Sequence, residues 1–261
     1  MELSFSIIAI LVVSGIAVGF INTLAGGGSA ISLTVFMALG LPVQVANGTN
    51  RIAIIMQNLS STATFTKKRL IDWRNGIKLS APTIIGTVLG SQIAVTIDDR
   101  IFQICLAVVL VGVLVFSIVG DRLLRRSGES IEKVKPVHYI VFFLIGIYGG
   151  YMFVGMGYLI LLATMGMLHL NIVKSNVIKA LVIFISVPFS LLVFIVNGEV
   201  NYMYGLIHGT GNMVGAFIAS HWAIGWGTRF LKWFMVVVVL FCLADVIELI
   251  SIRDMVLSII K

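Results

Sequence analysis

Leu24-Ala25-Gly26-Gly27-Gly28-Ser29 divides one apolar run from the next, and Gly149-Gly150 followed by Gly155-Met156-Gly157 does the same later in the chain. At an offset of 129 the pairs Gly26/Gly155, Gly28/Gly157, Leu41/Leu170, Asn47/Asn176, Gly76/Gly205, Gly86/Gly215, Ser91/Ser220 and Arg100/Arg229 coincide without a gap. Apolar matches come cheaply in such a sequence, so the glycines, the Asn pair and the Arg pair carry the weight. The chain reads as two copies of one unit.

Composition sets the class. Apolar residues make up 59% of the 261, charged residues 11%, and the mean hydropathy is +1.09; an ordinary soluble domain is about 25% charged. This is the profile of a polytopic membrane protein. A helix needs roughly 20 apolar residues to cross about 30 Å of hydrocarbon, and the runs here are too long for barrel strands. Apolar segments fall at 5–24, 29–42, 44–65, 77–97, 101–119, 138–154, 158–171, 173–196, 203–225 and 230–250, five per copy. The division is a first repeat at 1–119, a linker at 120–137 and a second repeat at 138–261.

The segments at 29–42 and 158–171 have 14 residues each and rise only about 21 Å. Short, glycine-started segments at matching places are expected of broken or re-entrant helices near the midplane of a transporter, the alternative being short tilted helices in a thinned bilayer. Loop charge adds an orientation. The 66–78 loop holds Lys67, Lys68, Arg69, Arg74 and Lys78 against Asp72, whereas its counterpart at 195–207 holds only Glu199. Basic short loops stay cytoplasmic, so the copies are expected to be inverted. The linker, with Arg122, Arg125, Arg126, Lys133 and Lys135, is then cytoplasmic and both termini lie outside. The net charge of +7 is mostly this topology signal. Because the basic residues sit at span ends without interleaved aromatics, no nucleic-acid partner is expected.

Chemistry begins where polar residues interrupt apolar runs. Glycines at 26, 27 and 28 before Ser29, and at 155 and 157, permit unusual backbone conformations, and a helix start there points its positive dipole end at an anion. Ala46-Asn47-Gly48-Thr49-Asn50-Arg51 and Ser175-Asn176-Val177-Ile178-Lys179 each supply an Asn and a cation. A charge at the helix centre costs roughly 2.5 to 3.5 kcal/mol on insertion scales, so Arg51 and Lys179 should face protein or water, or snorkel to the interface. His208 and Asn212, one turn apart, turn toward the bundle interior and are candidates for a proton relay. Gly15/Gly19, Gly86/Gly90 and Gly211/Gly215 have the four-residue spacing of helix packing. Cys105 and Cys242 lack metal-ligand or CxxC spacing, so neither a metal nor a cofactor is expected. Asp245 and Glu248 read as an interfacial cap.

The glycine triplet with Gly40-Leu41-Pro42, then Val45-Ala46-Asn47-Gly48-Thr49-Asn50-Arg51 and Gln57-Asn58, resembles the first-copy signature of the sulfite exporter TauE/SafE family. Gly146, Tyr148-Gly149-Gly150 and Gly155-Met156-Gly157 resemble its second signature. The resemblance implies an inner-membrane transporter of sulfur-containing anions such as sulfite or small organosulfonates, driven by the proton motive force. The residues alone lead to a carrier of small anions working by alternating access. The alternative is an anion channel using the same helix-terminus site. An enzyme is not expected, because no HExxH motif, nucleophile–base pair or paired intramembrane carboxylates are present.

Overall fold

A computed structural model of the protein describes residues 4–24, 26–98 and 134–222, with 100–102, 104, 105, 108, 111 and 240. Most of the segments at 101–119 and 230–250, linker residues 120–133, Arg229, Cys242, Asp245, Glu248 and both chain ends lie outside the described residues. Eight helices are described: α1 Phe5–Leu24, α2 Ser29–Ala38, α3 Val43–Lys67, α4 Trp73–Thr96, α5 Pro136–Tyr151, α6 Met156–Met167, α7 Ile172–Val196 and α8 Tyr202–Trp222.

The 129-residue spacing returns in the backbone. Shifted by that amount, α3 becomes α7 residue for residue, and α4 and α8 start together. Left-handed residues recur at the same spacing as Gly26/Gly155, Gly40/His169 and Arg69/Gly198. Arg69 and Gly198 end their helices alike. Leu70 N–H donates to the Phe65 carbonyl and Glu199 N–H to that of Phe194, the bond from C″ back to C3 that terminates a helix through a left-handed residue. Helix starts repeat too: Asp72 accepts from Asn75 N–H at 3.1 Å and Asn201 from Tyr204 N–H at 3.0 Å, as N-cap side chains do.

The two short helices end sooner than their apolar runs. α2 has 10 residues and α6 has 12, because Gly40 turns left-handed ahead of Pro42 and His169 does so in the second copy. Both are too short to span. α2 folds back along α1: Ser29 lies beside Asn22 at the tip, and three residues further on Ser32 is linked through the His208 ring to the carbonyl of Leu11, about three turns back along α1. Two apolar cores, one around α1 and α2 and one around α5 and α6, anchor the two hairpins.

α3 and α7 cross the bundle in opposite directions. Near the start of α3, Gly48 is pressed against Phe194 and the Glu199 carbonyl at the end of α7. Near its other end, Phe65 packs on Val177 and Ala180 at the start of α7. α3 rises about 37 Å over 25 residues, which puts the Lys68 loop and the Glu199 loop at opposite ends of one helix. By length and apolarity α1, α4 and α7 are suited to cross a membrane. α3 is polar, and its Asn, Gln, Ser and Thr side chains are buried among the other helices.

The remaining contacts respect exchange of the halves. α1 packs on α8, and α5 packs on α4. Both seams depend on glycine. A methyl group on Gly15 or Gly215 would strike the carbonyl of His208 or Ile16, and one on Gly90 or Gly150 that of Ile147 or Thr87. The lipid-facing sides carry exposed Ile85, Leu89 and Ile93 of α4 and Leu206, Val214 and Phe217 of α8.

Candidate functional site

The hairpin tips meet at the centre of the bundle. Gly26 has φ +87° and Gly155 has φ +78°, a conformation that costs a side-chain-bearing residue roughly 1–2 kcal/mol. Freedom from a Cβ also allows contact, since a methyl group on Gly26 would lie 2.6 Å from Tyr158 N and 2.7 Å from the Gly157 carbonyl carbon. α2 and α6 start just beyond, with N-caps Gly28 and Gly155 that offer no side-chain acceptor. Two positive helix ends are thus brought to one place.

Arg51 is wholly buried; it does not snorkel. Its Nη1 donates to the Gly149 carbonyl at 2.7 Å, and its Nη2 to the Gly150 carbonyl and to Asn47 Oδ1, both at 2.9 Å. The guanidinium carbon lies 5.1 Å from the ring of Phe153 and 5.4 Å from that of Phe194, within cation–π range. Nε has no partner. Asn47 also donates to the Tyr151 carbonyl at 2.8 Å, so one Asn ties the cation to the end of α5.

Lys179 does the reciprocal work at the other tip. Its ammonium, also buried, donates to the carbonyls of Asn22 at 3.0 Å and Thr23 at 2.8 Å, and to Asn176 Oδ1 at 2.7 Å. Each cation therefore sits on the carbonyl end of the other copy's first helix, where the dipole is negative. With Gly48 against Phe194 and Phe65 against Val177, the helix positions of the two cations are separated by roughly 20 Å along the bundle, at 1.5 Å per residue on antiparallel helices. Neither cation has a carboxylate partner among the described residues.

The exact counterpart of Lys179 at the 129 spacing is Asn50, not Arg51. Asn50 is fully buried, and neither its amide oxygen nor its amide nitrogen has a partner. Leaving both unbonded in an apolar interior costs on the order of 1–3 kcal/mol per group, a cost that a hydrogen-bonding partner would offset. Thr49 is otherwise engaged, accepting from Asn201 N–H at 2.8 Å.

His208 and Asn212 are buried in α8. His208 Nδ1 lies 2.9 Å from the Leu11 carbonyl, which can only accept, so this nitrogen carries the proton; in the neutral ring Nε2 then accepts from the Ser32 hydroxyl at 2.9 Å. The ring is also edge-on to Phe36. Asn212 donates to the His208 carbonyl one turn back, and its Oδ1 is unpartnered. His208 thereby joins α8, α1 and α2.

Four residues not anticipated as part of the site belong to it by contact. Asn22 donates to Ser29 Oγ at 3.1 Å and to Gln57 Oε1 at 3.2 Å, and the hydroxyls of Thr23 and Ser61 lie 3.2 Å apart. The signal was available, because Asn22-Thr23 interrupts the apolar run at its end just as Asn176 and Lys179 interrupt theirs.

Helical hairpins that meet inside an apolar bundle, with buried cations at their tips, fit a multi-pass membrane transporter. The chain belongs to the sulfite exporter TauE/SafE family, whose model matches residues 11–245. It is similar to the probable membrane transporter protein ORF9 of a Sinorhizobium species, at 24% identity over 91% of each chain. It also resembles a probable membrane transporter protein of Haemophilus influenzae, at 24% identity over 89% of this chain and 91% of the relative. A third relative is the probable membrane transporter protein YunE of Bacillus subtilis, 25% identical over 76% of this chain and 81% of the relative. No solved structure matches the chain.

Proposed function

We propose that this protein is a secondary carrier of small sulfur oxyanions or organosulfonates in the inner membrane, working by alternating access between two inverted repeats and coupled to the proton motive force. The observation that carries the reading is the burial of Arg51 and Lys179 with no carboxylate against either among the described residues. Two uncompensated charges in a low-dielectric interior are costly, and a bound anion offsets that cost. Carbonyls moderate it without neutralising it.

Gly26, Gly27, Gly28 and Ser29 on one hairpin and Gly155 and Gly157 on the other supply amides and helix dipoles to the anion. Asn50 and the free Arg51 Nε supply side-chain donors, and Asn47 and Asn176 hold the cations in place. Sulfur enters through the family description; the relatives' names specify no substrate. The antiparallel course of α3 and α7 and the opposite loop charges support inversion, with the 120–137 linker cytoplasmic and both termini outside. His208, with Asn212 behind it, is the proposed proton-accepting group.

The reading is tested in proteoliposomes. Wild-type protein is expected to give saturable sulfite or sulfoacetate flux that Arg51→Ala abolishes. Full flux in Arg51→Ala would refute the site, and steady unitary currents would make the protein a channel.

A further inference from the structure

Exchange of the halves maps the helices onto one another but not their chemistry. Between the tip of the first hairpin and α3 lies a continuous polar strip: Asn22, Thr23, Ser29, Gln57, Ser61 and Thr62. All six are buried. Asn22 bridges Ser29 and Gln57, and Thr23 meets Ser61. Lys179 stands at the head of the strip, bound to the Asn22 and Thr23 carbonyls. Its far end lies in the last turns of α3, which finish at Lys67 and lead into the basic loop with Lys68 and Arg69.

The counterparts at the 129 spacing are Tyr151, Met152, Tyr158, Ser186, Ser190 and Leu191. Only two small hydroxyls remain there. Ser186 bonds back to the Val182 carbonyl of its own helix, and Ser190 is paired with Ser91 at 2.6 Å. The first strip holds two buried polar atoms with no partner, Asn22 Oδ1 and Thr62 Oγ1, and the second holds one, the Tyr151 hydroxyl. Buried polar groups in a membrane interior are expensive and mark the paths of polar cargo.

Resting on the anion-carrier reading, we propose that the half-path from the central site to the side of the 68–72 loop runs along this strip, between the first hairpin tip and α3, and is hydrated as the carrier opens. A small oxyanion leaving Lys179 exchanges amide and hydroxyl hydrogen bonds along Asn22, Gln57, Ser61 and Thr62 before it meets the loop cations. On the equivalent face Met152 and Leu191 stand in place of Thr23 and Thr62, so it offers an anion fewer hydrogen-bonding side chains. The two halves then differ in how a passing anion is solvated.

Single cysteines at Ser61, Thr62, Ser190 and Leu191, in the full chain with Cys105 and Cys242 replaced by alanine, test this by labelling with a membrane-impermeant methanethiosulfonate. Arg74→Cys and Asn197→Cys report which side the reagent reaches. Ser61→Cys and Thr62→Cys are expected to react from the Arg74 side about tenfold faster than Ser190→Cys and Leu191→Cys react from the Asn197 side, a ratio that corresponds to about 1.4 kcal/mol of easier exposure. Equal rates, or no reaction at 61 and 62 while Arg74→Cys reacts, would overturn the proposal. Labelling needs no anion, so it stands or falls separately from the flux of the Arg51 variant.

Discussion

Gly26 and Gly157 touch backbone to backbone: a methyl group on Gly157 would sit 3.0 Å from the Gly26 Cα, and one on Gly26 would overlap the Gly157 main chain. Only two residues without side chains let the hairpin tips come this close. Gly26→Ala, which is also strained by its positive φ, is expected to cost about 1–3 kcal/mol through overpacking. It should lower the thermal unfolding midpoint of the purified protein and reduce flux, with Gly157→Ala milder on both measures.

Loss of Lys179 should damage the fold as well as transport. Lys179→Met strands three buried acceptors, the carbonyls of Asn22 and Thr23 and Asn176 Oδ1, at on the order of 1–3 kcal/mol each if no water enters. The expected result is a lower unfolding midpoint even without anion, together with loss of the thermal shift that the carrier reading expects sulfite to confer on the wild type.

The glycine seams predict a contrast within one residue type. A Cβ on Gly90 would lie 1.9 Å from the Ile147 carbonyl oxygen, whereas one on Gly166, inside α6, meets nothing within 4 Å. Gly90→Ala should destabilise by about 1–3 kcal/mol. Gly166→Ala should stabilise by up to about 1 kcal/mol through helix propensity. Thermal unfolding followed by intrinsic fluorescence separates the two.

His208 joins α8 to both arms of the first hairpin, and Leu79 stands at its place in the other copy. His208→Leu leaves the Leu11 carbonyl and Ser32 without their partner and should speed hydrogen exchange in α2 relative to α6, as loosened local structure does. If protons drive the carrier through this ring, His208→Gln will retain anion exchange and lose the response to an imposed pH gradient. A gradient response unchanged from wild type would remove His208 from the coupling.

Much of the fold is legible in the sequence because glycine, proline and charge mark backbone events. The Gly26/Gly155 pair falls on two left-handed turns, and the basic and acidic loops fall at opposite ends of α3. The direction of α2 is not legible, since a short apolar run reads the same whether it continues across the bilayer or doubles back. Arg51 and Lys179 are recognisable as buried cations from their surroundings. Their partners are not, because the carbonyls of Gly149, Gly150, Asn22 and Thr23 belong to the main chain and leave no residue signature. The 129-residue spacing makes Asn50, one residue before Arg51, the equivalent of Lys179.

That Lys179 answers to Asn50 has a thermodynamic corollary. In a carrier with identical repeats, swapping the roles of the repeats turns one end state into its mirror twin of equal energy, and an unloaded carrier divides its time evenly between the two faces of the membrane. A lysine set against an asparagine breaks that degeneracy. If this protein works by the proposed alternating access, its empty form should favour one facing direction at rest, a built-in bias that exists before any gradient is applied.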